Sequence, residues 1–406
     1  MSLKSAPSRL KRGLAKFVKE RKVAVFVLAF ALVGGSILLL ATHAASPYAS
    51  SQAESGILNT ATIVNDVNAS GGSYVKFGSG TITTINPPTS WSNVTSNLAG
   101  MASECGNLTM LSPVPNSNTV LAGVAASGLW SSNNSGASWT KLDTGAGADP
   151  ITNRPSDIVY DPTNASTFWE AGIYGSTFGV LKTTDGGTTF HGLGSTFHDD
   201  GVAVDFTDIN RQTLLAGGHE TAKRIDKSTN GGQTWTNIWS SLPSTVGNSF
   251  TTNPIIINTQ TYLINANVSY AGGNPGIYRT TNGGTSWTQV STLGPQGAPL
   301  ITSNGTIYWS LGGSLAKSTD NGQTWIQVGS GLSGINPTQL PDGRLLSVGG
   351  NTLVVSADGG QTWTSFGAAL PYSPADAIYS SGAKAFFISH WDCGSVVLPD
   401  AIERGQ

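Results

Sequence analysis

The chain has 406 residues, a formal net charge of −2, 51 glycines and only 11% charged residues. So few Glu, Lys and Arg argue against a helical protein, whereas abundant Gly, Ser, Thr and Asn suit short strands joined by turns that need positive φ. Residues 1–22 hold eight of the 21 basic residues and one of the 23 acidic ones, leaving 13 basic and 22 acidic residues beyond, a net of −9; a body that negative offers no basic patch for a phosphate backbone, which excludes nucleic acid as a partner.

The basic segment 1–22 is followed by Val23 to Thr42, about 20 residues without a charge and long enough to cross a bilayer as a helix. We expect a transmembrane or signal helix over 23–45, with the basic flank in the cytoplasm and everything after Ala45 exported. Thr42-His43-Ala44-Ala45 is a poor cleavage site, so cell-surface anchoring is the expectation, with secretion if the helix is cut. Residues 46–87 read as a linker. Within them Ala53-Glu54-Ser55-Gly56 and Ala69-Ser70-Gly71-Gly72-Ser73-Tyr74-Val75 resemble the opening of a β-sandwich carbohydrate-binding module. A full sandwich needs about 100 residues, so the segment is expected to be a short hairpin or spacer.

A single repeat-containing region is expected over 88–406. Six segments there align without gaps: SNNSGASW (132–139), TTDGGTTF (183–190), STNGGQTW (228–235), TTNGGTSW (280–287), STDNGQTW (318–325) and SADGGQTW (356–363). Their third residues are Asn134, Asp185, Asn230, Asn282, Asp320 and Asp358, spaced 38–52 residues apart, a period suited to a four-stranded blade. The chemistry is that of a turn. Asp or Asn accepts from nearby backbone N–H groups, the hydroxyl adds a second local bond, the shared Gly takes a conformation closed to other residues, and the aromatic packs the turn on its sheet. These acids are therefore assigned structural roles.

The pattern resembles the Asp-box (BNR) repeats of sialidases, xyloglucan-cleaving hydrolases, sortilin-type receptors and photosystem assembly factors. That resemblance implies an all-β fold, a single β-propeller of four-stranded blades with each box joining a third and a fourth strand. Seven blades are expected, six being the alternative if the tail only caps the ring. After the last box, ADAIYSSG, KAFFISH and SVVLPD read as strands one to three of a seventh blade. Trp91-Ser92-Asn93-Val94 resembles Trp235-Thr236-Asn237-Ile238 and would supply its fourth strand. In that register Cys105 and Cys393 lie on the same face of neighbouring blades, and a disulfide between them is expected in an exported chain.

In propellers, function sits on the face where first strands begin and second strands end. The repeat alignment places Glu104, Asp157, Asp200, Asn253, Asn336 and Asp376 at first-strand starts, with His198 and Asp199 beside Asp200. Tyr174, His219, Glu220, Tyr270, His390, Trp391 and Asp392 fall at second-strand ends. Aromatics stack on sugar rings, and carboxylates bind hydroxyls or do acid/base work. We expect Tyr174, His198, Asp199, His219, Glu220, Tyr270, His390, Trp391 and Asp392 to bind a glycan or another cell-surface polymer. If the chain is a glycoside hydrolase, Asp157, Asp200 and Asp376 are the candidate catalytic carboxylates. A sortilin-like protein scaffold is the third reading. A conventional sialidase is excluded, because it needs three clamping arginines and an Arg-Ile-Pro motif, and the six arginines after residue 22 offer neither. No cofactor and no metal are expected.

Overall fold

The structure, a computed structural model, describes residues 61–65, 73–77 and 85–406, apart from 106, 176–177, 222, 247–251 and 267–274. The basic segment and the apolar stretch 23–45 lie outside the described residues, and among those described no helix is long and apolar enough to cross a membrane. The chain divides into two compact units, Met1–Ile82 and Thr83–Gln406. In the first, Ala61–Asn65 pairs antiparallel with Ser73–Phe77 as a two-stranded hairpin.

The second unit is a ring of seven four-stranded antiparallel sheets. Blade I runs Leu108–Pro113, Val120–Val124, Gly128–Ser132, Thr140–Lys141; blade II runs Arg154–Asp161, Asn164–Ile173, Val180–Thr183, His191–Gly192. Blade III is Asp199–Val204, Leu214–Gly218, Ile225–Ser228, Thr236–Asn237, and blade IV is Pro254–Asn258, Thr261–Ala266, Gly276–Thr280, Thr288–Ser291. Blade V is Gln296–Ile301, Ile307–Ser310, Leu315–Ser318, Ile326–Val328, and blade VI is Thr338–Gln339, Leu345–Gly349, Thr352–Ser356, Thr364–Ala369. Blade VII is Asp376–Ser380, Ala385–Ser389, Ile402–Gly405 and, from the other end of the chain, Trp91–Asn93.

Second strands such as Val120–Val124, Thr261–Ala266 and Ala385–Ser389 are buried at every position. Both their faces are covered by neighbouring blades, which is why they read as continuous apolar runs instead of alternating ones. First strands of successive blades touch one another from blade VI through VII, I, II and III to IV, so they form the inner wall of the ring. Several fourth strands are two residues long and exposed, a short outer edge that resists pairing with other chains.

The six recurring turns each join a third strand to a fourth. In all six the leading Ser or Thr hydroxyl donates to the Asn or Asp carboxyl or amide oxygen at 2.8–3.0 Å. The same hydroxyl accepts the shared glycine's N–H at 2.8–3.1 Å. The Asn or Asp oxygen also takes the N–H four residues on at 2.9–3.0 Å. These bonds hold the Asp185 carboxyl down at about 2, the Thr189 N–H being the largest cause.

Two features differ from expectation. In three turns the indole bonds to the preceding blade, Trp139 Nε1 donating to Val94 O at 2.9 Å, Trp235 Nε1 to Leu193 O at 2.8 Å and Trp287 Nε1 to Ser241 Oγ at 3.0 Å, whereas Trp325 and Trp363 donate within their own turns. The turn glycine explains the fit, because a Cβ at Gly136 would lie 2.7 Å from Val94 and one at Gly187 2.7 Å from Leu142, each an apolar residue just past the preceding fourth strand. The second difference is in blade VII. Its third strand is Ile402–Gly405, not SVVLPD; Val396–Leu398 instead exchange backbone bonds with residues 100–103. Pro399 has no N–H to continue a ladder, and the Ile402–Gly405 run, charged at its centre, gave no apolar signal of its own.

The ring closes as the sequence suggested. Trp91–Asn93 pairs with Ile402–Gly405. The buried Thr95 hydroxyl accepts the N–H groups of Ala401 and Ile402 at 2.8 and 2.9 Å. Cys105 and Cys393, 288 residues apart in sequence, form the expected disulfide across blades I and VII.

Candidate functional site

First strands begin and second strands end on one face of the ring, and strand register dictates what meets there. In blade II Arg154 pairs with Ile173, so Tyr174 emerges beside the start of the first strand. In blade III Asp199 pairs with Gly218, and His219 N donates to His198 O at 2.8 Å, which sets the two histidines side by side. The rings of Tyr174, His198 and His219 pack edge to face, with centroids 4.5 Å (Tyr174–His198), 5.2 Å (Tyr174–His219) and 4.9 Å (His198–His219) apart. Tyr174, His198 and Glu220 all hold positive φ (56°, 63° and 47°). For residues with a Cβ such conformations cost free energy and concentrate at functional sites.

Asp200 accepts from His219 Nδ1 at 2.7 Å, and His219 Nε2 lies 3.2 Å from the Tyr174 hydroxyl and 3.6 Å from Glu220 Oε1. The carboxylate fixes the imidazole so that Nε2 faces outward. Arg154 stacks 4.4 Å over the Tyr174 ring and pairs with Glu104 at 3.3 Å. Tyr174 is 43% exposed and Phe197 58%, with Arg224 stacked 4.8 Å over the latter. Burial, with the neighbouring Glu220, pushes the Tyr174 hydroxyl up to about 12, which keeps it protonated and unlike a phenolate nucleophile. Burial and the adjacent His219 lower the His198 pKa, which favours a neutral ring.

The other expected residues lie elsewhere or are otherwise engaged. Asp199 is fully buried, 0% exposed, and paired with Arg224 at 2.8 Å; it supports the face from beneath and presents nothing to a ligand. Asp157 accepts the Val202 N–H of blade III at 3.3 Å, and Asp376 accepts the Leu111 N–H of blade I at 3.0 Å. Both are therefore clips between consecutive blades. Burial raises Asp157 to about 7 and Asp376 to about 6. Asp200 alone of the three catalytic candidates belongs to the exposed cluster. His390 packs on Tyr372 at 5.0 Å, Trp391 is 51% exposed, and Asp392 Oδ1 accepts the Gly394 N–H at 2.8 Å, all beside the disulfide on blade VII. Among the described residues none of their bonds reaches the blade II–III cluster. Asn253 and Asn336 are engaged within the fold, the first with Asn265 and the second against Gly297. Tyr270 lies outside the described residues.

Sequence reasoning missed Arg154, Glu170, Phe197 and Arg224. Arg154 and Phe197 could have been found, since they share the strand-start register with Glu104 and His198. Glu170 could not: it is a buried carboxyl on the second strand of blade II, raised by burial to about 8 and touched by Asn153 at 3.3 Å. Arginines do not converge on one point: Arg211, between the first two strands of blade III, is bound to Asp161 of blade II, and Arg344 is bound to Asp342 between the first two strands of blade VI. Concavities of about 560 Å³ beside Asn237 and Trp239 and about 410 Å³ between blades I and II do not include the cluster.

Ring and cluster together define the class: a closed seven-bladed β-propeller with an exposed aromatic–imidazole–carboxylate patch on one face. No family model matches the chain, and no curated protein matches it. Solved structures do. The GH74 xyloglucanase of Xanthomonas campestris superposes with a TM-score of 0.50 at 17% identity, over 76% of this chain and 54% of that one. The extracellular domains of a one-component and a hybrid two-component system protein from B. thetaiotaomicron each give 0.50, at 11% and 12% identity, over 78% and 75% of this chain and 40% of theirs. The chain thus spans about half or less of these structures, and the likeness is one of fold.

Proposed function

We propose that this chain is an extracytoplasmic β-propeller, held at the membrane by its apolar N-terminal helix, that binds a glycan or another cell-surface polymer through the blade II–III patch. The observation that carries the reading is the exposed Tyr174 ring, edged by two imidazoles, stacked by Arg154 and flanked by Asp200 and Glu220. A half-exposed aromatic offers a stacking face for a sugar ring, and acids and imidazoles around it offer hydrogen bonds to hydroxyls. The six hydrogen-bonded turns support reading the repeats as Asp boxes. The basic residues before Val23 and the charge-free run after it support the membrane anchor. GH74 and extracellular sensor neighbours are in keeping with this reading but carry fold alone.

Hydrolysis is the weaker alternative. It requires two carboxyls facing one bond at about 5–10 Å, and Asp157 and Asp376 are committed to backbone N–H groups of adjacent blades. A protein partner is the other alternative, favoured by exposed Trp391, Val396 and Val397 on blade VII. The test is a glycan array probed with the full chain and with Tyr174→Ala and Trp391→Ala variants. Binding that falls at least about tenfold in Y174A and persists in W391A is expected. No binding by the unaltered chain overturns the reading; loss only in W391A moves the site to blade VII.

A further inference from the structure

We propose that His198, His219 and Glu220 form a binding site for a divalent transition-metal ion of the zinc class on the face of blades II and III. The proposal stands on the donor set and does not require the polymer-binding reading.

One donor atom from each of the three residues lies within 4.8 Å of the others. His219 Nε2 and Glu220 Oε1 are 3.6 Å apart. Donors at zinc's usual 2.0–2.2 Å in a tetrahedron are separated by about 3.4 Å, so that pair already has the required spacing. His198 has only to swing in by a rotamer adjustment. Its ring packs edge to face on Tyr174 and His219, and the one described hydrogen bond to it, from Tyr174 N at 3.4 Å, is at the limit of hydrogen-bond range.

The surroundings suit a metal better than a fortuitous pair of histidines. Asp200 sits 2.7 Å from His219 Nδ1. That carboxylate–imidazole arrangement fixes the tautomer and directs the Nε2 lone pair outward, as in the outer shell of metal-bound histidines. The ion would replace the Tyr174 hydroxyl on Nε2, and the hydroxyl would remain close enough to bond a metal-held water. Strand pairing sets the donors side by side: His198 directly precedes one strand, His219 and Glu220 directly follow its partner, and His219 N donates to His198 O at 2.8 Å. Nearby cations are already paired, Arg154 with Glu104 and Arg224 with Asp199 and Asp226. Two imidazoles and one carboxylate favour zinc or its neighbours, whereas calcium and magnesium prefer all-oxygen sets. Glu220 is 42% exposed at its side chain, which leaves the remaining coordination open to water.

The test is calorimetric titration of zinc chloride into the full, untagged chain in detergent after chelator treatment, with zinc content checked by mass spectrometry. One ion per chain with a Kd of about 1–10 μM is expected. His198→Ala, His219→Ala and Glu220→Gln should each weaken it at least about tenfold, and Asp200→Asn about 10–100-fold. His191→Ala and His390→Ala should leave it unchanged, and calcium should not compete. Thermal unfolding identifies any variant that fails to fold; H198A and E220Q, at the partly exposed positions, then decide. Absence of zinc binding tighter than about 100 μM in the unaltered chain, or wild-type binding in H198A and E220Q, overturns the proposal.

Discussion

An acid at the start of a first strand has the composition of a catalytic residue and the position of a clip. Asp376 and Asp157 show how the second outcome arises: the carboxyl turns sideways and accepts an N–H from the next blade's first strand, Leu111 or Val202. Asp376→Ala leaves that N–H unpaired in a buried site, and a loss of about 1–3 kcal/mol by denaturant titration is expected, whereas Asp376→Asn retains an acceptor and should lose much less. The buried carboxyls also set a pH dependence. Asp376 at about 6, Asp157 at about 7 and Glu170 at about 8 bind protons more tightly folded than unfolded. Their contribution is complete below the unfolded value near 4 and is lost as pH rises through 6–8. Asp185 acts in the opposite sense only below about 4, and His198, whose pKa is lowered by burial, opposes the trend below its ordinary 6.5 as one group against three. Tm should therefore be higher at pH 5 than at pH 8, and Asp157→Asn with Asp376→Asn should flatten that slope; a Tm rising steadily to pH 8 would contradict the assignment. Residue type and position made the acids visible in the sequence. Which carboxyls a neighbouring backbone would occupy was not visible, because that depends on how two blades pack.

At the scale of elements, the recurring turns were legible because almost every bond in them spans two to four residues, so the pattern Ser/Thr, Asx, Gly, Ser/Thr encodes its own geometry. The blade-to-blade half of their function was hidden. Gly136 holds φ +88°, and a Cβ there meets Val94, whereas Gly147 holds φ +82° with nothing within 4 Å. Backbone strain is common to both, and the steric clash belongs to one. Gly147→Ala should cost about 1–2 kcal/mol and Gly136→Ala about 2–5 kcal/mol, with Val94→Ala relieving part of the second. Equal costs would mean that the blade contact is compliant. The misplaced third strand of blade VII has the same origin: SVVLPD has the higher strand propensity, but Ile402–Gly405 has the partner, since Ile388 pairs with Glu403 in the ladder.

For the whole molecule, everything on the strand-start face depends on closure. Arg154 and Tyr174 of blade II meet His198 and His219 of blade III only because consecutive blades are held at a fixed angle, and the ring has two fastenings. One is the N-terminal strand Trp91–Asn93 on Ile402–Gly405; the other is the disulfide. The seven-blade count was legible from a strand that matched the post-turn segments with no turn before it, and from two cysteines that the register brought to one face. The meeting of Tyr174 with His219 was legible as shared placement but not as contact. Cys105→Ser with Cys393→Ser should lose about 3–5 kcal/mol, as expected for opening so long a loop. The measurement closest to the claim of closure is peptide mapping of the non-reduced, alkylated chain. A single linked peptide pair joining Cys105 to Cys393, absent after reduction, is the predicted result; two alkylated thiols in the folded chain, or a bond between separate chains, would contradict the closed ring.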